Sequence, residues 1–318
     1  MRVSIILPTY NCCGLLREAV ACVLDQDLRD WELLVVDDGS TDATRQTVES
    51  LGDERIRYCR QEHRGVYVAR NAGLDLAGGR YVAWLDSDDL WPREFLRVMA
   101  DALEAAGDCG VAYCPMVNLY PDGRRREPAR YLKSPSGRVT RAFFQRSRLF
   151  LPCMVMRREA LGEMRFDESL LTLGDLDLGL RLTCRMKFLF VPGVRLTRRV
   201  RRGSLSQHVS CEQLDINKVR VLERFYRHLG GAEHVPHALA MRVLAKAWRD
   251  AAAEFYRYGA WSAAARLYAR AMARGGLSPS AWLGWAKARL KGAATDAMPD
   301  WQEPPALPPL PARGGPEG

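Results

Sequence analysis

The stretch RYVAWLDSDDL, residues 80–90, sets Asp86, Asp88 and Asp89 directly after an apolar run. Carboxylates that close repel one another, and burying them without partners is costly. Two other stretches also follow apolar runs with polar groups: PTYN, Pro8 to Asn11, and DDGSTD, Asp37 to Asp42. Carboxylate oxygens are hard donors that suit Mg2+ or Mn2+. Such a cation would remove the repulsion and keep coordination positions for the diphosphate of a substrate. Helix capping is the plainer use of these acids. Asp89 suits a cap before Pro92, and Ser40 and Asp42 suit the cap of the helix that follows them. Capping gives no reason for Asp37 and Asp38.

The elements that must carry these groups follow from periodicity. RVSIIL, WELLVV, RIRYC and RYVAWL are expected as short buried strands. Gly14 to Leu24, Thr41 to Leu51 and Gly65 to Leu76 carry apolar residues three and four apart and are expected as helices. Strands alternating with helices imply a parallel sheet covered on both faces, an α/β class. Ligands of such sheets bind beyond the carboxyl ends of the strands. A parallel arrangement puts PTYN, DDGSTD and DSDD on one rim.

After residue 108 the pattern changes to a mixed second half. CGVAYCPMVNLY, CMVMRR and KFLFVPGVRL are expected as strands, PDGRRREP as a turn, and LGDLDLGLRLTCRM as a helix. From Glu212 to Lys291 strands give way to helices. One stretch there resembles a single tetratricopeptide-type hairpin, and such repeats need about three units to stand alone. The expected division is a Rossmann-like domain over 1–210, a helical appendage over 211–297, and a Pro/Gly-rich disordered tail over 298–318.

The chain has 318 residues, 47% hydrophobic and 27% charged, with a formal net charge of +9. The positive charge favours phosphates or an anionic membrane face. It does not make a nucleic-acid binder, because no basic strand face with interleaved aromatics is present. Nine scattered cysteines form no C-x-x-C pair, which argues against a disulfide framework or zinc site and fits a reducing cytoplasm. No apolar run approaches the roughly 20 residues of a transmembrane helix, so membrane contact is expected to be peripheral. A D-x-D-G-T phosphatase needs acids two apart, whereas Asp37 and Asp38 are adjacent. PTYNCCG lacks the glycines of a dinucleotide-binding turn, and no P-loop motif occurs.

Four stretches in order, VSIILPTYN, WELLVVDDGSTDAT, HRGVYVARNAGLDLAGGRYVAWLDSDDLW and LGDLDLGLRL, resemble the family 2 glycosyltransferases of GT-A fold. The resemblance covers about residues 1–210. It implies a mixed sheet flanked by helices and an inverting, metal-dependent hexosyltransferase that uses a nucleoside diphosphate sugar. By resemblance, Pro8, Thr9 and Tyr10 line the nucleotide pocket, and Tyr10 packs on the base. Asp38 accepts a hydrogen bond from the base, as it does for uracil in similar enzymes, so a UDP-sugar is favoured. Asp37 supports Asp38 or reaches the ribose. Arg70 and Asn71 face the nucleotide. Asp86 and Asp88 match the D-x-D: Asp86 lies near ribose and metal, and Asp88 binds Mn2+ or Mg2+.

Inversion also needs a base that takes the acceptor's proton. The resemblance assigns it to Asp175. Many members carry Glu-Asp there, and this sequence has Gly174-Asp175. In RLTRRVRRGSLS, Arg199 or Arg202, with Ser204 nearby, could contact the diphosphate. The implied acceptor is a glycan or a lipid-linked sugar for cell-surface polysaccharide or glycolipid synthesis, met at the inner face of the plasma membrane. The alternative is a catalytically weak scaffold on the same fold, acting through its helical C-terminus.

Overall fold

The computed structural model describes residues 2–128, 134–146, 150–201, 211–275, 278–291, 296–298, 302 and 304–310. The chain divides into two compact units. One comprises Met1–Val139 and Leu149–Ser204, the other Thr140–Arg148 and Leu205–Gly318.

The first unit is built on a seven-stranded sheet. Its strands are β1 (Val3–Thr9), β2 (Trp31–Asp37), β3 (Ile56–Arg60), β4 (Tyr81–Trp84), β5 (Cys109–Tyr113), β8 (Met154–Arg157) and β9 (Lys187–Phe190), in the order β3-β2-β1-β4-β8-β5-β9. β3, β2, β1 and β4 run parallel, as the strand–helix alternation predicts. β8 is antiparallel to both β4 and β5, so the sheet is mixed.

Both faces of β1 are covered, which is why VSIILPT is apolar almost throughout. Val3, Ile5 and Leu7 share a buried cluster with Leu16, Ala19, Val20 and Val23 of α1 (Cys13–Leu24). Phe95, Leu96, Met99 and Leu103 of α4 (Phe95–Ala105) belong to the same cluster. Between α1 and α4 lie α2 (Thr44–Glu49) and α3 (Val66–Leu76). Ile6 faces the other way, onto α3, where a Cβ on Gly73 would come within 2.4 Å of its side chain.

Two expected strands are each broken by proline. CGVAYCPMVNLY divides at Pro115 into β5 and β6 (Met116–Leu119), and KFLFVPGVRL divides at Pro192-Gly193 into β9 and β10 (Leu196–Arg199). Proline cannot donate to a ladder, so each strand leaves the large sheet there. β6 and β10 then pair with each other, and with β7 (Arg125–Arg126), in a second sheet of three strands. Two expected caps also differ. α4 begins at Phe95 without a side-chain cap, and Asp89 instead accepts the Arg199 backbone N–H. Asp42 accepts the N–H and hydroxyl of Thr44 and the Cys13 N–H, while the Ser40 hydroxyl takes the Asn11 N–H. The remaining helices of this unit are α6 (Arg158–Leu161) and α7 (Gly174–Arg185).

The second unit is helical. It holds α5 (Thr140–Arg146), α8 (Cys211–His228), α9 (Gly231–His234), α10 (His237–Arg257), α11 (Trp261–Gly275) and α12 (Pro279–Lys291). α5, from within the stretch 1–210, groups with these helices, and its Phe144 ring lies 5.8 Å from that of Phe225. Glu223 accepts the Trp248 indole N–H and pairs with Arg274, tying α8, α10 and α11 together. Residues 304–310 form no helix or strand; Leu307 among them is buried, and Arg220 donates to the Pro305 carbonyl.

Candidate active site

Parallel register brings the expected rim together. Thr9 at the end of β1 is level with Asp37 at the end of β2, and the Asp38 N–H donates to the Thr9 carbonyl. Trp84 at the end of β4 is level with Ile6, so Asp86 emerges beside the last residues of β1. Asn11 clasps the two loops: its N–H reaches the Ser40 hydroxyl, and its amide oxygen takes the Thr41 N–H.

Arg70 lies at the centre of the acids. α3 packs against β1 and β2, so its inward face carries Arg70 beneath the rim with only 5% of the side chain exposed. A buried guanidinium must be paired. Arg70 Nη1 donates to Asp175 Oδ1, and Nη2 donates to Asp86 Oδ1 at 2.7 Å. Burial opposes its charge, but Asp175 and Asp86 more than compensate and raise its pKa. Asp175 itself stands in the first turn of α7, one-fifth exposed. Burial pushes its carboxyl above the ordinary range, Arg70 pulls it back, and the balance remains upward. A partly exposed carboxylate with raised proton affinity suits a general base.

The backbone at the head of α7 is unusual. Leu173 adopts φ 65°, and Gly174 follows under the Tyr67 ring. A Cβ on Gly174 would lie 2.6 Å from that ring, so glycine is required. The Gly174 N–H donates to the Tyr67 hydroxyl at 2.8 Å. Tyr67 therefore fills the space that a side chain at 174 would need. Asp177 faces away, buried and paired with Arg181.

Asp88 Oδ2 accepts from Arg201 Nε at 2.9 Å. Burial and the neighbouring Asp86 raise its pKa against the pull of Arg201. Asp89 is buried, and burial with Asp86 and Asp88 pushes it well above the carboxylate range. The Arg201 contact arises because β10 runs beside this loop: Leu90 and Thr197 exchange both backbone hydrogen bonds. Of the arginines singled out from the sequence, Arg199 pairs with Glu18. Arg202 and Ser204 lie outside the described residues.

Asp37 and Asp38 are both buried. Asp37 accepts the Ser40 N–H and the Tyr58 hydroxyl. Asp38 holds the loop before α3, accepting from Gln61 Nε2, the N–H groups of Arg64 and Gly65, and His63 Nδ1. Gly39 permits this at φ 84°, where a Cβ would press on the His63 backbone nitrogen. The His63 ring stacks on Tyr10 at 4.0 Å, and Tyr10 is 46% exposed. Pro8 and Thr9 are buried. The Asn71 amide is committed to Phe166 and Glu168, not to the rim. Sequence reasoning missed Tyr67, Tyr58 and Arg201, whose partners are distant in the chain.

Asp86 Oδ2 and Asp88 Oδ1 accept no hydrogen bond from another described residue. Together they offer two hard oxygen donors whose mutual repulsion a cation would relieve. Among the described residues, no three His, Cys, Asp or Glu side chains are grouped to hold an ion by themselves. The pair fits a cation that completes its shell with substrate phosphate and water, as Mg2+ commonly does.

A profile of the family described as Glycosyl transferase family 2 matches residues 4–165, about half of the chain. The chain is 46% identical over 90 residues to UDP-Glc:alpha-D-GlcNAc-diphosphoundecaprenol beta-1,3-glucosyltransferase WfgD of Escherichia coli, covering 28% of this chain and 36% of that protein. It is 30% identical over 209 residues to the amylovoran biosynthesis glycosyltransferase AmsB of Erwinia amylovora, covering 59% and 65%. It thus spans about a third of the first relative's length and under two thirds of the second's. The fold is similar to that of S. aureus TarS 1-349 in complex with UDP-GlcNAc, with TM-score 0.65, 19% identity, and coverage of 91% of this chain and 92% of that one.

Proposed function

The chain belongs to glycosyl transferase family 2, and on that footing we propose that it moves a sugar from a nucleoside diphosphate sugar to an acceptor hydroxyl with inversion. The observation that carries this reading is the Asp175–Arg70–Asp86 bridge at the carboxyl ends of the parallel strands. It joins a candidate base to the first acid of the D-x-D.

Asp175 accepts the proton of the acceptor hydroxyl as that oxygen attacks the anomeric carbon. Arg70 fixes the direction of the Asp175 carboxylate and neutralises part of the charge between the two acids. Asp86 and Asp88 are the residues that would hold Mn2+ or Mg2+, which when bound would offset charge on the departing diphosphate. Arg201 pairs with Asp88 and orients its carboxylate. Tyr10 presents its half-exposed ring to the base, with Pro8 and Thr9 behind it. Asp38 takes the base's hydrogen bond in exchange for His63, whose side chain is 56% exposed. Asp37 supports the same loop, and Asn71 acts beneath the site by anchoring residues 166–168.

A UDP-sugar is the favoured donor, because the name of WfgD and the TarS complex each specify one. The acceptor is a glycan or a lipid-linked sugar of a cell-surface polysaccharide; in support, the name of WfgD specifies a GlcNAc-diphosphoundecaprenol and that of AmsB amylovoran biosynthesis. Such an acceptor puts the enzyme at the cytoplasmic face of the plasma membrane as a peripheral protein. Among the described residues, no helix is long and apolar enough to cross a membrane.

Thermal unfolding with a panel of nucleoside diphosphate sugars, with and without Mn2+, tests the reading. Binding to the folded state raises apparent stability, by about 2.7 kcal/mol at a hundredfold excess over Kd. A UDP-sugar should raise the midpoint most, and release of UDP should follow with Mn2+ present. A scaffold would release none.

A further inference from the structure

The last helix of the second unit is turned inside out. Among the described residues seven large apolar side chains are exposed, and three of them, Trp282, Leu283 and Leu290, lie on the 13 residues of α12. Leu290 is 86% exposed. Steps of four put Trp282, Ala286 and Leu290 in one row, with Leu283 beside it. The opposite face packs inward through small residues. Ala281 and Ala288 are buried, and a Cβ on Gly284 would come within 2.3 Å of the Tyr268 ring on α11. A soluble helix ordinarily buries its large apolar residues and exposes the polar ones. Here the large apolar groups face solvent in one patch.

The charge on the same helix is one-sided. PSAWLGWAKARLK contains Lys287, Arg289 and Lys291 and no acid. Lys287 and Arg289 fall on either side of the Trp282–Leu290 row at 100° per residue. Arg289 lies over the Trp285 ring and Lys291 over the Trp261 ring, so aromatic and cationic groups are interleaved. Exposed Trp and Leu flanked by Lys and Arg match the boundary between acyl chains and anionic headgroups. A helix of about 20 Å carrying three cations is too short and too charged to span, so it would lie in the plane. A second copy is a poor occupant, because two-fold packing of α12 would bring six cations together with no acid on either helix.

We infer that α12 is a docking surface for an anionic phospholipid bilayer. Its purpose rests on the lipid-linked acceptor proposed above. Its binding does not, since vesicles without acceptor read α12 alone and donor hydrolysis reads the active site alone.

The test is flotation of the full chain with vesicles of phosphatidylglycerol and phosphatidylcholine, and with phosphatidylcholine alone. The native chain should float with the anionic vesicles and at least tenfold less with the neutral ones. The variant Trp282→Ser/Leu283→Ser/Leu290→Ser should lose at least tenfold in partition. The variant Lys287→Gln/Arg289→Gln/Lys291→Gln should lose the preference for anionic lipid. Both should keep the native unfolding midpoint and donor hydrolysis, because the replaced groups lie outside the active site. Undiminished flotation of the apolar variant would overturn the inference, as would a native chain that does not float. A dimer that the apolar variant dissociates, without vesicle binding, would assign the face to a second copy and overturn it equally.

Discussion

Arg70 Nη1 is hydrogen-bonded to Oδ1 of Asp175, a residue 105 positions away in the chain. The other arm of the same guanidinium holds Asp86. One nearly enclosed cation therefore sets the spacing between the candidate base and the candidate donor site. An arginine fork suits this task because its two arms diverge rigidly, whereas a lysine offers one point charge.

The bridge has a pH signature. Asp175 acts as a base only when ionised, and its pKa is raised by burial despite Arg70. The acid limb of kcat/KM should therefore lie above the ordinary aspartate value of about 3.9. Arg70 favours the ionised form, so Arg70→Met should move the limb to still higher pH and lower the plateau. For stability the sign is opposite to that of a normally paired carboxylate. The folded chain holds this proton more tightly than the unfolded one, so the contribution of Asp175 becomes less favourable as pH rises through its folded pKa. Arg70→Met should also destabilise by about 3 kcal/mol, through uncompensated buried charge. An unshifted limb in the variant would separate Arg70 from Asp175 in function.

Cation binding should compete with Arg201. Mn2+ should strengthen donor binding to the native chain, and a chelator should reverse this. Asp88→Ala should remove the metal dependence. Arg201→Gln should lower the Mn2+ concentration needed for half-maximal effect, because Asp88 loses its resident partner. Calorimetric titration of donor at several Mn2+ concentrations measures all three. Equal donor affinity with and without metal in the native chain would contradict the assignment.

The close approach of Gly174 to Tyr67 makes a structural prediction. Gly174→Ala should destabilise by about 1–3 kcal/mol through overpacking against the ring. Tyr67→Leu in the same chain should recover part of that loss, and a double-mutant cycle in urea should show the coupling. Independent, additive effects would mean that the two residues do not press on each other.

The polar rim was legible because it depends on local signals. Apolar runs ending in PTYN, DDGSTD and DSDD mark strand ends, and helix-forming stretches between them require parallel strands. The parallel pairing of β1, β2 and β4 then brings Thr9, Asp37 and Asp86 to one edge. What the sequence did not disclose depends on long-range pairing. The prolines at 115 and 192 lie inside apolar runs and read as interruptions, although they are where the chain changes sheets. Only after that change does β10 bring Arg201 to Asp88. Asp89 resembles a cap in sequence because Pro92 follows, yet its oxygen is taken by a backbone N–H 110 positions away. Arg70 was recognisable within ARNAG, but no local pattern says that it faces inward between two acids.

Asp175→Asn tests the central claim most directly, with donor binding and sugar transfer measured on the same preparation. The amide keeps the shape of the side chain and removes its basicity. Transfer should fall by about 10²-fold to 10⁴-fold, the usual contribution of a general base, while donor affinity in Mn2+ stays within a few-fold of native. Transfer at the native rate would remove Asp175 as the base and with it the proposed role of the Arg70 bridge.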